Sequence, residues 1–558
     1  MFTPSELRLA VPDWLPGQFE AITEVVEHYS SGVRVVGAPK PTGSGKTGIA
    51  AGVSRLMMGA GLFPEGQDRT VILTETKGLQ DQYCRFPGLK PIDMRGKGNY
   101  RCRMIQQGTY SCDEAWVMCG AGLSQQTKMG CTYREAKHYF ENEEVGTTNY
   151  DWWVRAGRVN TIPIDEGGDG LARGVGLLVC DEAHSADVAV CSALGVELSE
   201  TKLKWLVDYN HGEAEIGWEL PEPGSEFNWA ADWAGMLEGN LEDLKARMKR
   251  KSSMNLGRAI AGTERLMASL TRALQDRVSS EWVAAVTPAG EWTGTGNVVF
   301  EPVWAGRYVE EVLFRGVPYV LLLSATMQPR KTAGLLGVKT GTSAFLRGDA
   351  VFPRSRCPVY QLSTALPLKH GVSQVVLDKA IKAADEYLLP RLKLGRKGIV
   401  HTVSYPRAKW FAENTKLRLQ GIDGLRVFTH TTKTTAKVIA EFKAYDGPAI
   451  LVSPSVSTGY DFPDDECRFQ LILKVPFVET KNPITRARCN KDKQYAMYLA
   501  MIDLMQMCGR GMRSEKDWCE TAILDSNVGW FMRQNRALAP EWFRVEYRNG
   551  STPPMIAA

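Results

Sequence analysis

The sequence predicts an α/β protein built as two stacked parallel-sheet lobes, and three observations predict it. Short β-rich runs recur ahead of glycine-containing turns in two sets, alternating with longer helical patterns, as in parallel sheets covered on both faces. A phosphate-cradling sequence, Lys40-Pro41-Thr42-Gly43-Ser44-Gly45-Lys46-Thr47, follows a run of the first set only. Two stretches, 92–145 and 195–300, break the alternation and read as insertions.

The first set of strand runs is Val33–Val36, Thr70–Thr74, Leu177–Cys180 and Tyr319–Leu323. The second is Gly398–Thr402, Ala449–Ser453, Gln470–Val475 and Thr521–Asp525. Residues 1–91, 146–194 and 301–345 are assigned to the first lobe and 346–558 to the second. The insertion at 92–145 is cysteine-rich; that at 195–300 is mostly helical, with Ile260, Met267, Leu270 and Leu274 on one face of a helix that belongs to the core. Trp282, Val283 and Val298–Phe300 flank the turn-rich Gly290–Gly296 and predict a hairpin returning to the first lobe.

The totals bound the function. A chain of 558 residues is too long for one core. Its 23% charged and 44% hydrophobic residues are ordinary for a globular protein, and a net charge of +4 means that any nucleic-acid surface is a local patch. No apolar stretch is long enough to span a bilayer, and the N-terminus lacks a signal-peptide pattern, so a cytoplasmic location without membrane contact is expected. Twelve cysteines in such a setting point to a metal or iron–sulfur centre in preference to disulfides.

The glycine-rich turn after a buried strand lets backbone N–H groups close around phosphate oxygens, and a helix N-terminus adds its dipole. Lys46 is expected to reach the β- and γ-phosphates and the Thr47 hydroxyl to hold Mg²⁺. Thr42, Gly43, Ser44 and Gly45 complete the cradle. Such loops usually open with Gly or Ala six residues before the lysine, and here that place is Lys40. With the acidic box Asp181-Glu182-Ala183-His184 after its own buried strand, the loop predicts binding of ATP with Mg²⁺, and its hydrolysis.

Further blocks follow in order. They are Leu15-Pro16-Gly17-Gln18, Thr74–Gln82 (T-x-T-x-x-L-x-x-Q), Ser324-Ala325-Thr326, Ser455–Phe462 and Gln506-Met507-Cys508-Gly509-Arg510-Gly511-Met512-Arg513. From Gln18 to Asp525 this series resembles the superfamily 2 DNA helicases of the XPD/DinG-like iron–sulfur branch. The resemblance implies two RecA-like lobes, with the cysteine-rich segment as a metal-cluster insertion and the helical segment as an arch, both in the first lobe. It implies adenine recognition by Gln18, contact of the Thr74–Gln82 block with the nucleic-acid backbone, and Mg²⁺ held by Asp181 as well as Thr47. Glu182 would orient and deprotonate the attacking water, and His184 would couple the nucleotide to the neighbouring motif. Gly459 and Asp461 occupy the fifth-motif places, and Gln506, Arg510 and Arg513 the sixth. Two arginines three apart on a helix share a face; Arg513 is expected to be the finger on the γ-phosphate, assisted by Arg510.

Met94–Cys102 resembles the family's approach to its first cluster ligand, with Cys112, Cys119 and Cys131 following. Four thiolates suit a 4Fe–4S cluster or Zn²⁺, and spacing does not separate the two; the resemblance favours iron–sulfur. Arg95, Lys97, Arg101 and Arg103 surround Cys102 with no acidic residue between them, and a positive rim of this kind can grip phosphates. The basic run Lys245–Lys251 reads as a solvated helix face, with a strand contact as the alternative. Trp152 and Trp153 fit base stacking or packing equally.

These readings predict a monomeric ATP-dependent helicase acting on single-stranded and forked DNA, 5′→3′ by resemblance, with RNA or hybrid substrates left open. Two other functions fit the same residues: an ATP-driven remodeller that strips proteins from DNA, and a hydrolysis-impaired zinc-containing binding module.

Overall fold

Two parallel seven-stranded sheets carry the chain in the computed structural model, which describes residues 2–103, 111–112, 131–159, 174–208, 215–251, 253–277, 281–290, 294–348, 353–368, 371–456, 460–512, 516–547 and 555–556. In chain order the first lobe holds β1 (Val35–Pro39), β2 (Arg69–Thr74), β3 (Ile92–Asp93), β4 (Val145–Asn149) and β5 (Val175–Asp181). A separate antiparallel sheet follows, of β6 (Val196–Ser199), β7 (Trp282–Thr287) and β8 (Asn297–Pro302), before β9 (Tyr319–Ser324) and β10 (Ser343–Phe345) return to the first lobe. The first sheet runs β10-β1-β9-β5-β2-β4-β3 and the small one β6-β8-β7. The second lobe adds β11 (Val359–Leu366), β12 (Lys397–His401), β13 (Arg426–Thr429), β14 (Ala449–Ser453), β15 (Phe469–Ile472), β16 (Glu520–Asp525) and β17 (Glu546–Tyr547), ordered β13-β14-β12-β15-β16-β11-β17.

All eight strand runs read from the sequence are strands, and β7 and β8 form the expected hairpin. Each of β1, β2 and β5 is buried along its whole length, as a sheet covered on both faces requires. Strands without a long apolar run went unread. In β4, Thr147 and Thr148 are buried, and Gly146 is required by a neighbour: a Cβ there would stand 2.6 Å from the Phe140 ring.

Two antiparallel helices, Glu226–Arg250 and Met254–Asp276, fill the second insertion, and Leu270 and Leu266 face the main core. The basic run ends the first of them. Lys245 pairs with Glu264 on the other helix (2.8 Å) and Arg247 with Asp243 on its own (2.6 Å). Trp152 and Trp153 serve packing: Trp153 is fully buried with its indole N–H on Leu313 O (2.7 Å), and Trp152 meets Phe140 edge-on. Base stacking is excluded for Trp153 by that burial.

The second lobe contains a charge network with no solvent. Arg391 and Glu520 are each 0% exposed and pair at 2.8 Å; Arg391 lies 3.8 Å over the Tyr387 ring, and Arg396 approaches Glu520 at 3.6 Å. Removing one partner of such a pair leaves an uncompensated buried charge. Arg391→Ala is expected to destabilise this lobe by about 3–5 kcal/mol, read as a lowered denaturant midpoint of the transition that reports it.

Candidate functional site

Parallel register brings three motifs to one sheet edge. Pro39 of β1 pairs with Ser324 of β9, and Asp181 of β5 with Leu323 of β9. The phosphate loop, the acidic box and Ser324-Ala325-Thr326 therefore leave the sheet side by side at its carboxyl end, where ligands of open parallel sheets bind.

The loop turns on two left-handed residues, Gly43 (φ 82°) and Gly45 (φ 70°), and feeds helix α2 (Lys46–Gly59). No acidic side chain occupies the first turn of α2, so the positive end of its dipole stays available to an anion. Lys40 is outside the left-handed region, and its N–H donates to Ser324 O (3.1 Å). The backbone there does not require glycine. Gln18, first residue of helix α1 (Gln18–Ser30), donates from its amide to Gly45 O (2.7 Å) and accepts from the Leu15 N–H (2.7 Å). Each end of that amide spends one position on the loop and the preceding turn, which leaves a second N–H and a second lone pair for adenine. A Cβ on Gly45 would stand 2.2 Å from this amide nitrogen and displace it, and the left-handed φ would be strained as well.

The acidic box is held in a conformation its residues would not choose. Glu182 has φ 50°, left-handed for a side chain with a Cβ, a strain of order 1–3 kcal/mol. Its N–H donates to Asp181 Oδ1 (3.0 Å), and the Tyr150 hydroxyl donates to Asp181 O (2.8 Å). His184 is the junction. Its Nδ1 lies 2.8 Å from Ser324 Oγ and 3.4 Å from Glu182 Oε2, and its Nε2 lies 2.9 Å from the side-chain amide of Gln506 in the second lobe. Burial works against the charged form of Glu182, but the Lys46 charge, the His184 hydrogen bond and the Arg510 charge outweigh it and hold the carboxyl down at about 2. Burial and the Glu182 charge push Asp181 up to about 6, against Lys46. Burial opposes a charged His184 too, yet Glu182 raises it above the usual imidazole value. Glu182 Oε2 is buried, with His184 Nδ1 3.4 Å away. A carboxylate kept charged can take a proton from water.

From the second lobe, helix Tyr495–Cys508 points its C-terminus at the loop. It ends one residue before Gly509, so Arg510 lies in the turn beyond it and not on the expected helical face. Packing dictates that ending: a Cβ on Gly509 would come 2.8 Å from Thr42 Oγ1, and one on Gly511 2.4 Å from Cys519 Sγ. Arg510 Nη1 donates to Tyr460 O (2.8 Å), tying the sixth motif to the fifth. Asp461 lines a cleft of about 400 Å³ between the lobes, facing Gly78, Gln82, Arg85, Phe86 and Pro87. Gly459 and Arg513 lie outside the described residues, as does Cys119. Sequence reasoning missed Tyr150, because nothing local marks a tyrosine for a carbonyl on another strand. It also gave Gln82 only the nucleic-acid role of its block, whereas its amide donates to Thr47 Oγ1 (3.3 Å).

The remaining cysteines of the cluster segment are buried, and backbone contacts link the residues that flank them. Arg101 bridges Ser111 in antiparallel fashion, the Cys112 N–H donates to Tyr100 O (2.6 Å), and the Thr132 hydroxyl to Arg101 O (2.7 Å). Cys102, Cys112 and Cys131 each neighbour one of these contacts. Among the described residues no group of three His, Cys, Asp or Glu is placed to hold a metal ion. The positive rim is reduced by the fold: Arg95 pairs with Asp93 (2.7 Å), two residues before it, and with Asp81 from the preceding helix. Arg103 approaches Glu135 at 4.0 Å, and Arg101 is exposed.

Residues 393–546, most of the second lobe, match the helicase C-terminal domain family. No curated protein sequence matches the chain. Among solved structures, an XPD helicase superposes with a TM-score of 0.60 at 14% identity, covering 96% of this chain and 100% of that one. Xpd4 of S. tokodaii gives 0.55 at 13% identity, covering 96% and 100%. An apo XPD gives 0.54 at 14%, covering 95% and 100%. Among the described residues no helix is long and apolar enough to cross a membrane.

Proposed function

We propose that this chain, an XPD/DinG-like superfamily 2 helicase by its C-terminal domain and its fold, is an ATP-driven DNA helicase that moves along single-stranded DNA, 5′→3′, and opens duplexes ahead of it. One observation carries the ATP-driven part: His184 touches Ser324 in its own lobe and Gln506 in the other, so the acidic box is wired to both halves of the molecule. The DNA substrate and the direction rest on the resemblance of the motifs.

In this reading the loop from Thr42 to Thr47 wraps the phosphates, with Lys46 on the β- and γ-oxygens. Thr47 and Asp181 would hold Mg²⁺, which when bound neutralises charge developing on the transferred phosphoryl group. Glu182 accepts the proton of the attacking water, and His184 carries the change at Glu182 to Gln506. Arg513, assisted by Arg510, closes on the phosphate from the second lobe; Gly459 and Asp461 move with it. Product release reopens the cleft. The strand lies across both lobes, held by its backbone and so with little sequence preference. Cys102, Cys112, Cys119 and Cys131 would hold the 4Fe–4S cluster; Cys102, Cys112 and Cys131 are free thiols shielded from solvent, the ligand type a soft metal centre takes.

The test is strand displacement on 5′- and 3′-tailed duplexes by anaerobically purified protein, with iron and zinc content measured alongside. ATP-dependent opening of the 5′-tailed duplex by iron-containing protein is expected. Displacement of bound protein without strand opening would replace the reading by the remodeller. Zinc content with neither activity nor DNA-stimulated turnover would replace it by the binding module.

A further inference from the structure

The reaction proposed above needs Thr47 and Asp181 held toward one point, and the fold supplies a holder that the motifs do not name. Helix α3 (Lys77–Cys84) is capped by Thr76, whose side chain accepts from the Leu79 N–H (3.3 Å). Its last turn lies against the nucleotide site. Gln82 donates to Thr47 Oγ1 at 3.3 Å. Tyr83, the next residue, is 0% exposed, and its hydroxyl stands beside both the Asp181 carboxylate and the Thr47 hydroxyl. That hydroxyl makes no hydrogen bond of acceptable geometry, an uncompensated cost in a buried group and one that asks for an explanation. Tyr150 fixes Asp181 from behind, through its backbone carbonyl, and so leaves the carboxylate to be oriented by something else.

We infer that Tyr83 is a positioning residue for the metal–nucleotide site: its hydroxyl, unbonded in this structure, donates to the Asp181 carboxylate when nucleotide binds, while Gln82 holds Thr47, so that the end of α3 aims both oxygen ligands of Mg²⁺. This rests on the ATP-dependent reading of the site. Mg²⁺ takes few protein ligands and demands near-ideal octahedral geometry, so the aim of two oxygens matters more than their number. Partners behind such ligands commonly carry about 10–100-fold in metal affinity. The same helix begins inside the Thr74–Gln82 block that the resemblance assigns to the strand backbone. A strand that displaces α3 therefore moves Thr47 and Asp181 with no intermediary, which gives nucleic acid a direct route to the hydrolytic site.

The test measures binding of a fluorescent, non-hydrolysable ATP analogue against Mg²⁺ concentration, with no turnover involved. Tyr83→Phe removes one oxygen and keeps the ring. It is expected to raise the Mg²⁺ needed for half-maximal binding by about tenfold, with the thermal midpoint of the ligand-free protein unchanged. Gln82→Ala, at an exposed position whose truncation spares the core, is expected to shift the same curve in the same direction, and keeps the inference testable if the first variant does not fold. Wild-type Mg²⁺ dependence in the folded variants overturns the role given to α3. Wild-type protein that binds the analogue with no Mg²⁺ dependence overturns the ATP-dependent reading itself.

Discussion

Glu182→Gln is expected to lower ATP turnover by about 10²–10⁴-fold, the range for a lost general base, while nucleotide affinity stays close to wild type. The substitution keeps volume and packing, so the loss isolates one function, acceptance of a proton. Three features single out this carboxylate. Its charge survives burial because Lys46, His184 and Arg510 stand around it. Its Oε2 is buried, 3.4 Å from His184 Nδ1. Its backbone is held at φ 50° by the turn into His184 and Ser185, whose N–H and hydroxyl both return to Glu182 O. Asp181, next to it, differs in kind: its Oδ1 already accepts the Glu182 N–H, and its carboxyl is pushed up to about 6 by burial and by the Glu182 charge. Phosphate release at saturating Mg–ATP checks the prediction; a variant within tenfold of wild type removes Glu182 from the chemistry.

The lobes were legible because their strands carry their own signal. Val-Leu-Leu-Leu before Ser324 and Leu-Leu-Val-Cys before Asp181 are buried on both faces, and such runs read as strands in isolation. Strand β4 did not read, since Val-Gly-Thr-Thr-Asn has one strongly apolar residue, and its glycine answers to Phe140, a residue on another element. The motifs were legible as patterns, but their partners were not. Nothing local tells Gln18 that its amide meets Gly45 O, or Arg95 that Asp81 meets it from another element. The sixth motif shows the limit most clearly. Read along the chain, Gln506 to Arg513 continues a helix; in the fold, Gly509 and Gly511 must lie against Thr42 and Cys519, and the helix stops. Local propensity gave way to the docking of two lobes.

That stop bears on the last expected result: Arg513→Ala lowers turnover by ~10³–10⁵, the effect of losing an arginine finger, and Arg510→Ala lowers it by less. Arg510 leaves the helix end in a turn and gives one N–H to Tyr460 O, so part of its guanidinium is spent on joining the fifth and sixth motifs. Its charge nevertheless reaches Glu182, which places it on the reaction side of the turn. A residue that holds the loop and adds charge assists, which is why the finger's part is proposed for Arg513. Lysine does not rescue either position, because a point charge on a flexible stem lacks the planar fork that spans two oxygens. Single-turnover hydrolysis with separately measured nucleotide affinity distinguishes the roles. A larger loss at Arg510 than at Arg513 exchanges them. A loss under tenfold at both would mean that the second lobe grips nucleic acid without touching the reaction, and the wire from His184 to Gln506 would then carry packing and nothing more.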